Sequence, residues 1–313
     1  DLQLILETNI SSVMVLNIFK LLVFLTFIIN FLFLVNASQL VKGIHFDRII
    51  TIVLGNSNYD DSMNDPYLVY LANQGMLLSN YHGIWHPSQP NYIAMIRSSK
   101  SGVLTDFNQD VEGASLPDLL ENKGISWKAY IENYPGNGFS NSESDDGLYV
   151  RKHNPFISMN QIRTNSSRYI YIVNANSLKK DIEDGTVPQY VFYSPNVYNG
   201  GHETDLNHAS QYLNNTFIPL IQSLLTNSRT LLVITFDQSN LLLDSLTNYN
   251  HIYTVLIGPN VLKSMKHEDS DRYDHYSFVP TIELNWNLST LGSGDDTSSI
   301  PFSEGIFLNI SVS

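Results

Sequence analysis

Residues 48–54 read RIITIVL, a run of β-branched and apolar side chains with one charged residue, Arg48, at its start. A continuous apolar run of this kind is typical of a strand that is buried on both faces of a sheet. Similar runs occupy residues 190–193, 231–236 and 252–257. Together they predict a mainly parallel sheet, because the strands of parallel sheets are covered on both sides.

Helical patterns lie between the predicted strands. The clearest, at residues 116–123, ends at Gly124, and glycine commonly follows the last turn of a helix. Further helices are predicted at residues 209–225 and 277–286, and polar, glycine-containing loops at residues 137–150 and 291–299. Strands that alternate with helices predict an α/β fold, here a three-layer sandwich with helices on both faces of the sheet.

The composition limits the classes of function. The chain has 313 residues, of which 43% are apolar, so it is long enough to bury a large core. Its net charge of −13 argues against nucleic-acid backbones and anionic membrane surfaces as partners, because like charges repel. It contains no cysteine, which excludes both a disulfide framework and thiolate chemistry.

The N-terminal region is typical of a secretory signal. Residues 21–35 are almost wholly apolar, Lys20 precedes them, and the small residue Ala37 follows shortly after. We therefore predict an upstream extension plus signal peptide over residues 1–37 and a single domain over residues 38–313. The mature protein is then expected to be secreted to the extracellular space.

An uncleaved membrane anchor is the alternative to a signal peptide. When the apolar run is counted back to Val13, its length comes close to the roughly 20 residues of a spanning helix. We expect the protein to associate with a membrane only if this segment is not cleaved. Met14 would make a normal start, so residues 1–13 are predicted to be an upstream extension or a fragment of a longer gene model. Secretion agrees with four candidate acceptor tripeptides for N-linked glycans within the predicted domain, at Asn165, Asn214, Asn287 and Asn309.

A serine lies between two prolines at residues 86–91, which read HPSQPN. The apolar residues that follow, from Tyr92 to Ile96, predict a helix that begins near Ser88. Unpaired backbone N–H groups at a helix N-terminus favour an anion such as phosphate. Alone, the pattern is that of an ordinary helix cap or turn, so its meaning depends on the residues beside it.

Polar residues follow each predicted strand. They include, in chain order, Asn56, His202, Asp237 and His275. Residues 258–259 are predicted to follow the strand at 252–257 at the same edge, and the loop after them leads to His275. Because the carboxyl ends of parallel strands meet at one edge of a sheet, we expect these side chains to converge there. Each one alone is also explained as a turn or capping residue, but together they predict a functional site.

Short motifs in a fixed order connect this site to a known family. They read HFDRII at 45–50, NYH at 80–82, HPSQPNY at 86–92, SWKAY at 126–130, ENYPG at 132–136, RKHNPF at 151–156, SPN at 194–196, TFD at 235–237 and HYS at 275–277. In these motifs the chain resembles the phosphoesterase family of secreted acid phosphatases, related to non-specific phospholipase C. The resemblance extends from about His45 to about Asp296 and implies an alkaline-phosphatase-like fold.

The resemblance also implies the chemistry of the site. Ser88 takes the place of the nucleophile, while His202 and His275 take those of histidines that bind phosphate oxygens or protonate the leaving group. Asn56 and Asp237 take the places of ligands to a divalent metal ion, which is the cofactor of the family. The partner implied is a phosphate ester or a phosphate anion.

Three of the four acidic ligand positions of the family are not acidic in this chain. Gly55 and Gln238 stand in place of glutamates, and Gly200 stands in place of an aspartate. A divalent cation of this kind is held mainly by carboxylate oxygens, so we expect this chain not to hold one firmly. Loss of metal activation removes several kcal/mol of transition-state stabilisation, and turnover is predicted to be at least about 10³-fold lower.

Several alternatives stay open at this point. Glu203, Asp60 or Asp61 would serve as substitute metal ligands, or the histidines would support slow, metal-free hydrolysis through a phosphoserine. A non-catalytic, secreted phosphate- or partner-binding protein on the same scaffold is the main alternative to an enzyme, and a decaying duplicate without a selected role is a further one. Binding of phosphate without turnover would distinguish the binding protein from the enzyme.

The remaining sequence expectations concern residues outside this constellation. The resemblance implies a bridged pair of cysteines at two positions where this chain has Gly138 and Tyr169. His86, next to the nucleophile segment, is a possible substrate contact, but surface or loop positions are predicted for His82, His153, His208, His251 and His267.

Overall fold

β1 (Arg48–Leu54) forms as the sequence predicts and lies near the middle of the sheet. The computed structural model describes residues 40–240, 250–262, 267–291 and 300–308, together with Lys20. The predicted signal peptide, Asn309 and most of the loop predicted at 291–299 lie outside these residues. The chain divides into the units Asp1–Leu40 and Val41–Ser313, and the second contains the fold described below.

The main sheet of the described residues has eight strands in the order β5-β4-β6-β1-β7-β8-β2-β9. Besides β1 they are β2 (Met76–Leu78), β4 (Trp127–Ile131), β5 (Ile172–Asn174), β6 (Tyr190–Ser194), β7 (Thr230–Phe236), β8 (Thr254–Ile257) and β9 (Glu268–Asp269). β6 and β7 flank β1, and both run parallel to it. A separate pair consists of β3 (Tyr81–His82) and β10 (Tyr273–Asp274).

β8 is the exception to the parallel arrangement, because it pairs antiparallel with both β7 and β2. Its carboxyl end therefore lies at the opposite edge of the sheet from the carboxyl ends of β1, β6 and β7. A Cβ atom built on Gly258 would lie 2.5 Å from the carbonyl oxygen of Thr230, the first residue of β7. The prediction that residues 258–259 lie at the site edge is wrong, since the direction of a strand does not show in its composition.

Helices complete the three layers of the fold. They are α1 (Tyr59–Ser62), α2 (Pro66–Gln74), α3 (Ser88–Arg97), α4 (Leu116–Asn122), α5 (Pro155–Ser158), α6 (Asn160–Arg163), α7 (Ser166–Tyr169), α8 (Ser177–Glu183), α9 (Leu206–Tyr212), α10 (Ile218–Asn227) and α11 (Phe278–Trp286). The helix predicted at 209–225 comprises α9, a π-helical stretch at Leu213–Phe217 and α10. Within the described residues, none of the helices has the length and apolar character needed to span a membrane.

α3 is the helix that matters for the site, and it begins at the predicted residue, Ser88. Its side chains are buried from Ser88 to Ile96, which is unusual for a helix and shows that packing surrounds it. The ring of Tyr92 packs edge-on to Phe192 of β6, with centroids 6.3 Å apart, and stacks on His153 at 4.9 Å. Burial of one such side chain is worth roughly 1.5–3 kcal/mol, so the position of Ser88 is set by core contacts.

The two positions at which the resemblance implies cysteines are neighbours in the structure. A Cβ atom built on Gly138 would lie 3.1 Å from the Tyr169 ring. Gly138 has a φ of +70°, a conformation that glycine adopts without strain. In this chain an aromatic side chain packed on a glycine therefore connects the two segments.

Candidate functional site

Three chain segments meet at the carboxyl edge of the central strands. The Gly55 N–H, just after β1, donates to the Gly200 carbonyl at 2.8 Å. The Asp237 N–H, just after β7, donates to the Leu54 carbonyl at 3.1 Å, and the Ser57 N–H donates to the Gln238 carbonyl at 3.1 Å. These bonds hold the segments that follow β1, β6 and β7 against one another, as predicted from the strand ends.

Ser88 lies at this edge, at the first position of α3, and is 1% exposed. The side-chain amide of Gln238 donates to the Ser88 hydroxyl at 3.4 Å. The nucleophile predicted from the family resemblance and one of the altered positions are therefore in direct contact.

The anion site expected at the start of α3 is occupied by a carboxylate of the chain itself. Asp106 accepts a hydrogen bond from the Gln89 N–H at 2.9 Å. Its other oxygen accepts from the Lys152 ammonium at 3.0 Å. Unpaired N–H groups at a helix N-terminus attract negative charge, and here Asp106 supplies that charge.

Asp237 is fully buried, and neither carboxylate oxygen has a well-formed hydrogen bond to the described residues. Burial raises the pKa of Asp237 to about 7 because the charged form loses its hydration. The nearby Ser88 hydroxyl and the charge of Lys152 act in the opposite direction, and Asp106 adds to the rise. At acid pH this carboxyl group is therefore mostly protonated.

His275 reaches the site, but both of its ring nitrogens are engaged. Nε2 donates to the backbone carbonyl of Asp237 at 2.7 Å, and Nδ1 accepts from the Tyr81 hydroxyl at 3.2 Å. Burial lowers the pKa of His275 to about 4, so the ring is neutral in most conditions. In this geometry His275 positions Asp237, while its implied role toward the leaving group stays a prediction.

His202 is the other predicted histidine, and it lies at the partly exposed side of the site. Its Nδ1 is 2.8 Å from Glu203 Oε1, and its Nε2 is 3.3 Å from the Lys152 ammonium. The ring packs edge-on to that of His153, with centroids 5.3 Å apart. The Lys152 ammonium thus contacts both Asp106 and His202. Through Asp106 it lies beside the first turn of α3, which carries Ser88.

The donor atoms for a metal ion are few. The Asn56 and Gln238 side-chain oxygens and both oxygens of Asp237 are buried and lack hydrogen-bond partners. They offer a single negative charge, which the raised pKa of Asp237 weakens. In the described part of the chain there is no group of three or more His, Asp or Glu side chains arranged to hold a metal ion. This donor set does not fit a firmly held divalent cation, which needs several charged oxygens.

The glycines at two of the altered positions allow a close approach of the backbone. A Cβ atom on Gly55 would lie 3.0 Å from the His202 amide nitrogen and 3.1 Å from the Gly200 carbonyl oxygen. A Cβ atom on Gly200 would lie 3.2 Å from the Asn196 carbonyl oxygen. The segment after β6 therefore occupies space next to β1 that a side chain at position 55 would need.

The predicted substitute ligands are not gathered at the site. The Glu203 side chain is 57% exposed and pairs with His202. Asp60 and Asp61 are exposed on α1, where Asp61 accepts from Asn58 at 3.0 Å. These contacts give no second carboxylate beside Asp237.

The other histidines occupy varied positions. His82 and His153 are buried, which contradicts the surface positions predicted for them, because β3 and the packing on Tyr92 enclose them. Burial lowers the pKa of His153 well below its usual value. His208 is exposed, while His86, His251 and His267 are partly buried.

Sequence reasoning missed Lys152 and Asp106 as members of the site. Lys152 belongs to the motif RKHNPF, which served only to identify the family, and Asp106 lies in a loop without a motif. Both reach the site through tertiary packing of segments that follow no strand of the sheet. The sequence signal for Lys152 is a positive charge inside a family motif of an acidic chain.

Glu132 holds the segment that carries Gly200 and His202. Its carboxylate accepts from the Tyr212 hydroxyl at 2.7 Å and the Tyr193 hydroxyl at 3.2 Å. It also accepts from the Asn196 N–H at 2.9 Å and the Asn199 amide at 2.8 Å. One side chain at the end of β4 therefore fixes the loop after β6.

Replacement of Glu132 by alanine should destabilise the protein. Four donors lose their charged acceptor, and unpaired buried donors cost on the order of 2–4 kcal/mol in total. Urea unfolding measures the change, with Glu183→Ala as the control because that side chain is 63% exposed. We expect the control to stay within about 0.5 kcal/mol of the unaltered protein, and equal effects of the two changes would contradict the role of Glu132.

A separate cavity of about 1250 Å³ lies away from this site. It is lined by α2, α10 and the start of β7, including Tyr70, Ile218 and Leu232. Gly258, also in its lining, marks the opposite edge of the sheet. The cavity is thus not part of the predicted phosphate site.

The fold matches that of solved structures of low sequence identity. A solved protein of the alkaline phosphatase superfamily from Vibrio parahaemolyticus superposes with a TM-score of 0.52 at 13% identity, covering 78% of this chain and 66% of that one. The three-layer α/β sandwich therefore has the alkaline-phosphatase-like architecture.

Sequence comparison then gives the family. The phosphoesterase family model matches residues 52–289, and the chain belongs to that family. It is 35% identical over 270 residues to a probable acid phosphatase of Kluyveromyces lactis, covering 83% of this chain and 63% of that protein. An acid phosphatase of Aspergillus fumigatus is 34% identical over 268 residues, with 83% and 59% covered. The chain thus spans about three fifths of the length of these relatives.

Proposed function

We propose that this chain is a secreted, acid-phosphatase-like phosphoesterase whose metal site is depleted, so that it binds phosphate and turns over phosphate esters weakly or not at all. The single observation that carries the proposal is that Ser88 accepts from the neutral side-chain amide of Gln238 at 3.4 Å, with one buried carboxylate, Asp237, nearby. In this proposal Ser88 is the nucleophile and Asp237 the remaining carboxylate, while Gln238, Gly55 and Gly200 lack the other charges.

The remaining polar atoms support anion binding. The Lys152 ammonium and the Gln89 N–H at the start of α3 are donors that a phosphate oxygen can use in place of Asp106. His202 Nε2 lies 3.3 Å from the same ammonium and would border the bound anion. A phosphate that enters has to displace the Asp106 carboxylate, so we expect modest affinity.

Catalysis without a metal has a weak basis in this geometry. Asp237, with a pKa of about 7, accepts the Ser88 proton only in its ionised form, at pH 7 and above, as the Ser88 oxygen bonds to phosphorus and the bond from phosphorus to the ester oxygen breaks, with the departing alkoxide protonated by water. In the described part of the chain, the donor atoms beside Ser88 include a single carboxylate, which does not fit a firmly held dication that would stabilise the developing oxyanion, and both His275 nitrogens are engaged. A non-catalytic phosphate-binding protein is the second candidate, favoured by the near-complete burial of Ser88.

Secretion belongs to the same proposal. It is supported by the apolar segment before residue 38 and by the exposure of three glycan-acceptor asparagines, Asn165, Asn214 and Asn287. N-terminal sequencing of protein recovered from the culture medium of a eukaryotic host, together with glycosidase treatment, tests it. Intracellular retention of unprocessed, unglycosylated chain would contradict it.

Turnover and binding are tested on the same purified protein. A chromogenic phosphate ester is followed from pH 4 to 8 while Mg²⁺, Ca²⁺, Mn²⁺ and Zn²⁺ are titrated, and phosphate and vanadate binding are measured by calorimetry. We expect turnover at least about 10³-fold below that of metal-bearing relatives at every metal concentration. Brisk metal-dependent turnover would overturn the depleted site, and absence of phosphate binding would overturn the phosphate pocket.

Two variants of one ion pair separate binding from structure. Lys152→Gln should weaken phosphate binding by about tenfold or more, because a charge-assisted donor is lost. Asp106→Asn should strengthen it several-fold, since the competing anion is removed. Lys128→Gln is the matched control, because Lys128 pairs with Asp181 at 2.6 Å outside the site. If both variants of the pair weaken binding equally, the pair is structural.

A further inference from the structure

Three large apolar side chains are exposed close to the nucleophile helix. Trp85 is 38% exposed, Leu104 is 50% exposed and Phe107 is 79% exposed. Single exposed apolar residues are ordinary on protein surfaces, but adjoining ones mark contact sites for ligands. These three lie on two neighbouring loops, and they are called the apolar rim below.

The two loops of the apolar rim are joined to each other. The indole N–H of Trp85 donates to the Leu104 carbonyl at 3.3 Å. The backbone carbonyl of Trp85 accepts from the side chain of Asn91, inside α3, at 2.8 Å. Trp85 is thus connected both to the second loop and to the helix that begins at Ser88.

The second loop is fixed to the first turn of α3. The Gln89 N–H donates to the Asp106 carboxylate at 2.9 Å. The buried Gln89 amide, oriented so that its nitrogen faces this loop, donates to the carbonyls of Thr105 at 3.0 Å and Phe107 at 2.7 Å. Leu104 and Phe107 therefore flank a loop that contacts the residue directly after Ser88.

The charge at the apolar rim suits an ester of phosphate. The Lys100 ammonium lies 4.3 Å from the centre of the Trp85 ring, a cation–π distance. It places a positive charge at the rim of a protein whose net charge is −13. With Lys152 beside Asp106, the region combines positive charge for a phosphate group with apolar surface for the group it carries.

We propose that the apolar rim is a specificity subsite that receives the organic group of an aryl phosphate, in preference to small polar esters. The inference rests on the phosphate pocket proposed above and names the substrate class for it. Trp85 and Phe107 offer rigid ring surfaces, which bind a flat aromatic group with little loss of conformational freedom. A glycerol group has no flat apolar face to cover these rings.

Binding of stable phosphonates tests the subsite without any need for turnover. Inorganic phosphate, methylphosphonate and phenylphosphonate are titrated into the full chain by calorimetry, and Trp85 fluorescence is followed in parallel. Trp127 and Trp286 are buried, so the exposed Trp85 reports selectively when acrylamide quenching is measured. We expect phenylphosphonate to bind about tenfold tighter than methylphosphonate and to protect Trp85 from quenching.

Variants of the apolar rim decide the outcome. Trp85→Ala/Phe107→Ser should abolish the preference for phenylphosphonate and leave inorganic phosphate binding unchanged within about twofold. Phe107→Leu should retain most of the preference, and Ile170→Ala, which removes a 56% exposed side chain on α7's flank, should retain all of it. Equal affinity for both phosphonates, or a preference that survives the double change, would overturn the subsite alone. Failure of all three ligands to bind the unaltered chain would overturn the phosphate pocket as well.

Discussion

Phosphatase turnover in the presence of Mn²⁺ or Zn²⁺ should rise at least about 100-fold when Gly55→Glu, Gly200→Asp and Gln238→Glu are combined. The change introduces three carboxylates at the positions that the proposal assigns to metal ligands, and a divalent ion held by them would stabilise transition-state charge by several kcal/mol. Each 1.4 kcal/mol is about tenfold in rate, so an incomplete restoration still gives an effect of this size. Steady-state hydrolysis of a chromogenic phosphate ester, with and without metal, measures it.

The gain depends on movement of the segment after β6. Side chains at positions 55 and 200 would press on backbone atoms 3.0–3.2 Å away, including those of His202 and Asn196. We therefore expect the metal-free triple variant to lose about 1–3 kcal/mol of stability, the usual cost of overpacking. Added metal should restore the melting temperature, because a ligand that binds only the folded state stabilises it.

The control for this variant separates bulk from charge. Gly55→Ala combined with Gly200→Ala adds both Cβ atoms without a carboxylate, so it should show the loss of stability and no metal response. A triple variant that folds, binds metal and still gains no turnover would remove the explanation based on the lost ligands.

Replacement of Asp237 by asparagine should stabilise the unaltered chain at pH 8. A carboxyl group with a pKa of about 7 when folded, against an ordinary 3.8, binds its proton more tightly in the folded state. Stability is then fully present below about pH 4 and is lost as the pH rises through 7. The neutral amide escapes that loss, and we expect a gain on the order of 2–4 kcal/mol at pH 8.

The pH series carries its own comparison. In metal-free buffer, the stability difference between Asp237→Asn and the unaltered chain should grow from pH 4 to 8. Asp181 is the control, because Lys128 and Tyr130 bond to it and hold its pKa below the usual value. Asp181→Asn should therefore destabilise the protein over the same range. A metal ion held firmly by Asp237 would reverse the prediction, since the asparagine variant would then melt below the unaltered chain.

The sequence predicted most of the framework that positions the site. β1, β6, β7 and α3 are continuous segments whose apolar runs and turn residues are local signals, and all four form where expected. The short strands β2, β5 and β9 gave no such signal, because three residues or fewer carry too little pattern. The antiparallel direction of β8 was not predicted either, because strand direction depends on the hydrogen-bond partners and not on composition.

The site was predicted in part for the same physical reason. Ser88 and Asp237 lie at the ends of regular elements that the sequence predicted. His275 also reaches the site, although the strand end from which it was predicted lies at the opposite edge of the sheet. Lys152 and Asp106 are placed by long-range packing, which no local pattern records. The engagement of His275 Nδ1 likewise depends on Tyr81, which is 194 residues away along the chain.

The contact between Gly55 and the loop at Gly200 has an evolutionary consequence. A single acidic substitution at either position would add negative charge near the buried Asp237, or push apart a closed backbone contact, before enough ligands exist to capture a cation. Each such substitution is therefore unfavourable by itself. Under the proposed function, point mutations that remove acidic ligands are easily inherited, whereas recovery of a metal site requires several coincident changes.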